Sequence, residues 1–190
     1  MGKKFELTDK FIINVFGIKL FQIKCTKSFK YAQKGDLGGY VEKEGNLDQE
    51  NDAWVSGNAQ VSGDARVSGN AQVSGDAQVS GNAQVYGDAR VSGNAQVSGD
   101  ARVYGNAQVY GNANIKNNNE QCGFDGFGSC NRHTHAYLTK EKKVEITCGC
   151  FRGSIEEFEK KVEETHSGTI YEKQYKAIIN VIKIKFGLTD

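Results

Sequence analysis

Cysteine, histidine and arginine crowd one short part of this chain: Arg132, His133, Thr134 and His135, then Cys148-Gly149-Cys150, then Arg152, Ser154 and, further on, His166. Three chemistries fit such a set. A metal could draw on Cys148, Cys150, His133, His135 or His166, but a Cys-x-Cys with no second close cysteine pair is weak zinc spacing, and neither a metal nor a cofactor is expected. Cys150 could be a nucleophile with His166 as its base, given surroundings that stabilise a thiolate. A small anionic ligand could rest on Arg132, Thr134, Gly149, Cys150, Arg152 and His166, beside the free amides that open a helix near Ser154. A plain packing role competes with all three, in which Cys148 and Cys150 are small core residues and His166 closes a helix.

Whatever their role, these side chains need a frame. Arg132–Thr139 and Lys143–Cys148 read as a hairpin around Lys140-Glu-Lys, the second run alternating Val144, Ile146 and Cys148. Ser154-Ile-Glu-Glu157 is a capping box, so a helix starts there, with Ile155, Phe158 and Val162 as its apolar stripe and His166 continuing that face. Gly168 breaks it. A second helix over about residues 171–185 turns Tyr171, Tyr175, Ile178, Ile179, Ile182 and Phe186 toward a core.

Most of the remaining chain is a repeat. Val recurs every sixth residue from Val55 to Val109 and Ile115 closes the series, with Ala two residues before each. Ala and Val then point to one side of a short strand, and the residues between and after them to the other. Gly-Asn or Gly-Asp turns the chain, since these residues tolerate left-handed backbone. Period six is not helical. A strand and a corner, repeated, give a three-sided parallel β-helix in which residues eighteen apart stack about 4.8 Å apart.

Grouping outward residues by eighteen gives three unlike faces. One is Gln and Ser; a second holds Trp54, Arg90 and Tyr110 among such residues; the third stacks Arg66, Gln84 and Arg102 beside Ser68, Tyr86 and Tyr104. Tyr and Arg combine large contact area with a polar end and dominate many interfaces. The face of Arg66, Gln84, Tyr86, Arg102 and Tyr104 is therefore the candidate subunit or partner contact. Simple ladder stabilisation by stacked tyrosines is the alternative.

The repeat resembles hexapeptide-repeat proteins, which implies a left-handed β-helix and a homotrimer. The lead-in Gly35-Asp-Leu-Gly-Gly-Tyr-Val-Glu42, with Asn46-Leu47 and Ala53-Trp-Val55, resembles phage, prophage and bacterial members of that class, some labelled transferases. Acyltransferases of the class carry a His general base on a coil and a loop that closes over acyl-CoA; residues 53–115 hold no His and no insertion. Ser129-Cys-Asn-Arg-His-Thr-His135, Cys148-Gly-Cys-Phe-Arg-Gly-Ser154, Glu157-Phe158 and His166 resemble a small terminal domain of many phage proteins of unassigned activity, in which threonines stand at the places of His133 and His135.

The 190 residues carry a formal net charge of +1, unlike a strongly basic nucleic-acid binder. Five cysteines form an odd set without a secreted-scaffold spacing, which points to free thiols in a reducing cytoplasm; the phage resemblance implies that of a bacterial host cell. The apolar run from Phe11 to Ile23 is interrupted by Asn14, Lys19 and Gln22, so neither a membrane span nor a membrane partner is expected. The expected organisation is a mainly β chain: a hairpin cap over residues 1–34 that plugs the open end, a β-helix over 35–116, a linker over 117–128 and an α+β module of hairpin and two helices over 129–190. Within the lead-in, Val41 and Leu47 fall in the Ala phase and read as an irregular first coil. The expected function is a non-enzymatic phage-type counter-defence protein, in which a trimeric spine presents modules that bind a bacterial defence protein or sequester a nucleotide signal. A group transferase and a structural spacer are the alternatives.

Overall fold

The chain opens with a hairpin, β1 (Phe5–Ile13) against β2 (Lys19–Cys25), turning at Gly17. β2 pairs antiparallel with β3 (Leu37–Val41), and β3 pairs in parallel with the repeat. The hairpin therefore continues one wall of the β-helix. In the computed structural model, which describes residues 2–188, the chain divides into two units, Met1–Asn117 and Asn118–Asp190.

Each repeat contributes a two-residue strand, and the eighteen-residue grouping holds. β4 (Trp54–Val55), β7 (Gln72–Val73), β10 (Arg90–Val91) and β13 (Gln108–Val109) form one wall. β5 (Gln60–Val61), β8 (Gln78–Val79), β11 (Gln96–Val97) and β14 (Asn114–Ile115) extend the hairpin wall, and β6 (Arg66–Val67), β9 (Gln84–Val85) and β12 (Arg102–Val103) form the third. Amides bond to the coil above, as Gln60 N–H to the Ala77 carbonyl at 2.9 Å. All the repeat valines and alanines are buried, and each Val contributes about 1.5–3 kcal/mol.

The lead-in corrects one expectation. Val41 pairs with Val61 and Leu47 bridges Val67, twenty residues on, so both stand in the Val register. Val55 pairs with Val73, eighteen on. Two extra residues between Leu47 and Val55 restore the phase, and that stretch is tied down. The Asp48 carboxylate accepts from the Glu50 amide at 3.0 Å and the Asn51 side chain at 2.8 Å. The buried Lys4 ammonium donates to the carbonyls of Asn51 and Ala53, and burial lowers its pKa.

The corners follow a parity rule. Asn and Asp alternate from Asn58 to Asn106, while a coil has three units, an odd number. Vertically adjacent corners along that run are therefore of opposite type. Asn58, Asn70 and Asn82 donate to Asp76, Asp88 and Asp100 at 3.1, 3.1 and 3.0 Å, where a uniform Asp column would repel. Close approach also fixes the glycine: at Gly81, with φ of +67°, a Cβ would lie 2.9 Å from the Gly99 nitrogen.

The C-terminal unit departs from its expected boundaries. Residues 121–127, expected as linker, form a strand, so the sheet has four antiparallel strands: β15 (Gln121–Phe127), β16 (Arg132–Leu138), β17 (Val144–Cys148) and β18 (Phe151–Gly153). The connector's Gly123, Gly126 and Gly128 obscured the alternation that marks a strand. Helices α1 (Ile155–His166) and α2 (Ile170–Phe186) follow as expected, α1 opening with the Ser154–Glu157 capping box. They pack on the face of Ala136, Ile146 and Cys148.

Candidate functional site

β16 alternates, and so its neighbours in sequence part company. Thr134, Ala136 and Leu138 take one face, while His133, His135 and Tyr137 take the other. The six residues expected to form one anion pocket are divided accordingly. Arg132 lies over Gly149, whose Cβ would stand 2.7 Å from the arginine Cδ. Thr134 is buried and donates to Cys148 Sγ at 3.3 Å. The Tyr175 hydroxyl lies 3.7 Å from that sulfur, and His166 stacks on the Tyr175 ring at 5.5 Å. Burial, then the contact with Cys148, pushes the Tyr175 hydroxyl's pKa up, so it stays neutral. Thus Arg132 meets Gly149, and Thr134 and His166 converge on Cys148 and Tyr175.

Arg152 and Cys150 stand outside that cluster. Arg152 opposes Thr147 and forms a fork with Glu145 at 2.8 and 3.1 Å, which raises its pKa. Cys150 is exposed in the turn after β17, not in the core where the packing alternative put it. The helix start offers no empty cradle: the Glu157 carboxylate accepts the Ser154 amide at 2.8 Å, and the Ser154 hydroxyl accepts the Glu157 amide at 3.3 Å. An anion there would meet a carboxylate. All five cysteines are free thiols, and among the described residues no three His, Cys, Asp or Glu side chains are grouped to hold a metal.

The polar face of the sheet was not recognised as a unit. His135 contacts Gln121 at 3.0 Å, Tyr137 donates to Glu145 at 2.6 Å, and the nearly buried His133 meets Asp125 at 2.7 Å. The His133 and His135 rings lie 5.7 Å apart, and those of His135 and Tyr137 5.4 Å. The signal was available in the alternating His133, His135 and Tyr137, once β16 is accepted as an interior strand paired on both edges.

On the β-helix, β6, β9 and β12 bring Arg66, Gln84 and Arg102 into one register. The Tyr86 and Tyr104 rings stack at 5.6 Å and 16°, with Tyr104 53% exposed. The expected neighbours are thus assembled on one wall.

The family model described as YdcK Beta solenoid repeat matches residues 59–75, 83–99 and 95–111. This is a repeat β-solenoid chain. The matched residues lie within the three walls, and the match speaks to the solenoid alone. No curated protein matches the chain significantly. No helix of the described residues is long and apolar enough to cross a membrane.

Proposed function

We propose that the protein is a non-enzymatic binding scaffold, a homotrimer joined along the wall of Arg66, Gln84, Tyr86, Arg102 and Tyr104 that presents three C-terminal units to a host partner. The observation that carries this reading is the stacked, solvent-facing Tyr86–Tyr104 pair with Arg66 and Arg102 exposed beside it, on a solenoid whose other outward residues are mostly Gln and Ser. Such a patch offers flat aromatic area and fixed donors, the composition of an interface centre. Presenting three modules on a stiff spine raises effective affinity for a repeated target.

The partner side of the proposal is a bacterial defence protein, met in the host cytoplasm by a phage-type accessory protein, as the resemblance at both ends of the chain suggests. A protein partner is favoured over a nucleotide signal because the pocket side chains divide between two sheet faces and the α1 start is filled by Glu157. Native mass spectrometry tests the assembly: the wild type should give a trimer, and Tyr86→Ser with Tyr104→Ser a monomer of unchanged helical content. An unchanged mass would overturn the subunit contact.

A further inference from the structure

The β1–β2 hairpin runs past the sheet that anchors it. β3 accompanies β2 only as far as Val41 opposite Phe21, so residues 12–20 run on as a two-stranded arm, rooted at the buried Leu20, with no third strand paired to it among the described residues. At about 3.4 Å per residue its turn stands roughly 17 Å beyond that last pair. Bare two-stranded arms are marginal in water, yet this one has a built tip. The Asn14 side-chain oxygen accepts from the amides of Phe16 at 2.9 Å and Ile18 at 3.0 Å, and the Gly17 amide donates to the Asn14 carbonyl at 3.0 Å. That frame holds Val15 87% and Phe16 77% exposed, with Ile13 66% and Phe11 47% exposed beside them. Turns ordinarily carry polar residues.

Charge narrows the choice of partner. Between Asp9 and Asp36 the chain has six lysines and no acidic residue. Lys10 and Lys19 bracket the tip, and the Lys19 ammonium rests 4.0 Å from the Phe11 ring and 4.8 Å from that of Phe21. A second copy of the arm would set lysines against lysines. Apolar side chains gathered at one narrow end, with cations just behind, match a medium that is apolar inside and anionic at its surface. We infer that the hairpin tip docks into the surface of an anionic lipid bilayer, with Val15 and Phe16 entering the headgroup boundary and Lys10 and Lys19 meeting lipid phosphates. The contact is peripheral, departs from the expectation of no membrane partner drawn from the sequence, and stands apart from the proposed trimer contact.

Co-sedimentation with vesicles tests this. Full-length protein should bind phosphatidylcholine vesicles containing about 30% phosphatidylglycerol at least about tenfold better than phosphatidylcholine alone, and less well as salt rises. Val15→Ser with Phe16→Ser should weaken that binding about tenfold, and Lys10→Glu with Lys19→Glu should remove the preference for the anionic lipid. Val15 and Phe16 are exposed on the arm, so the Val15→Ser and Phe16→Ser protein should melt as the wild type does. A Phe16→Trp protein should shift its emission to shorter wavelength with the anionic vesicles, relative to wild type. Absence of vesicle binding, or binding undiminished in the Val15→Ser and Phe16→Ser protein, overturns the inference. So does a concentration-dependent dimer that this variant abolishes, which would assign the tip to a second copy, or loss of a protein partner by a chain that ignores vesicles.

Discussion

Val79 pairs with Val61 below and Val97 above, and the same contact recurs coil after coil. Tyr175 instead meets Phe158 edge-on at 5.6 Å, stacks with His166 at 5.5 Å and reaches Cys148 at 3.7 Å, no two contacts alike. Repetition spreads stability evenly along the solenoid, each coil leaning on its two neighbours. The C-terminal unit concentrates it in one hub. Such a difference should appear directly in how each unit answers substitution, and the chain supplies separate probes: the single tryptophan, Trp54, is in the solenoid, and the two α-helices of the described residues are in the C-terminal unit.

The hub gives the largest expected effect. Tyr175→Ala should cost about 3–5 kcal/mol, the range for truncating a large buried side chain. Helical circular dichroism should then be lost at much lower urea while Trp54 fluorescence keeps its midpoint; a shared shift would refute independent stability of the units. In the solenoid, Val85→Ala removes two methyl-sized groups at about 0.8 kcal/mol each, so a loss of about 1.5–2 kcal/mol should be read by Trp54. A loss as large as that at Tyr175 would erase the contrast.

Titration sharpens the comparison at a third place. Burial raises the Cys122 thiol from 9.0 to about 11 in the C-terminal unit. The unfolded chain releases this proton first, so the contribution is fully present below about pH 9 and lost as pH rises toward about 11. Helical stability should fall across that window more steeply in the wild type than in Cys122→Ala; parallel pH curves would remove the thiol as a cause. The smallest effect belongs to the corners. Asn82→Asp would set a carboxylate beside Asp100, where an amide now donates at 3.0 Å, costing about 0.5–1 kcal/mol at low salt and less at high salt. Salt-independent loss would point to packing instead.

The same contrast explains what the sequence disclosed. A six-residue repeat states its register many times over, so the three walls, the buried valines and the Arg/Tyr stack could be read from spacing. The lead-in misled because phase was counted through the Asp48–Asp52 stretch, where two extra residues hide until Leu47 is seen bridging Val67. In the C-terminal unit each contact occurs once. The capping box at Ser154 and the apolar stripe of α1 were local and therefore legible, as was the hairpin of β16 and β17. The glycine-punctuated β15 concealed its pairing with β16, and with it the division of Arg132, Thr134 and Arg152 among different partners. A cluster drawn from sequence neighbours fails where alternate residues of a strand face opposite ways.

The parity of the corners also constrains how such a spine changes length during descent. Duplicating one coil adds an odd number of units, so the alternation of Asn and Asp must break where the copy joins the original. Duplicating two coils preserves both the wall each residue occupies and the type above and below it, while lengthening the spine by about 9.6 Å. Growth by pairs of coils is thus the step that leaves every corner column undisturbed.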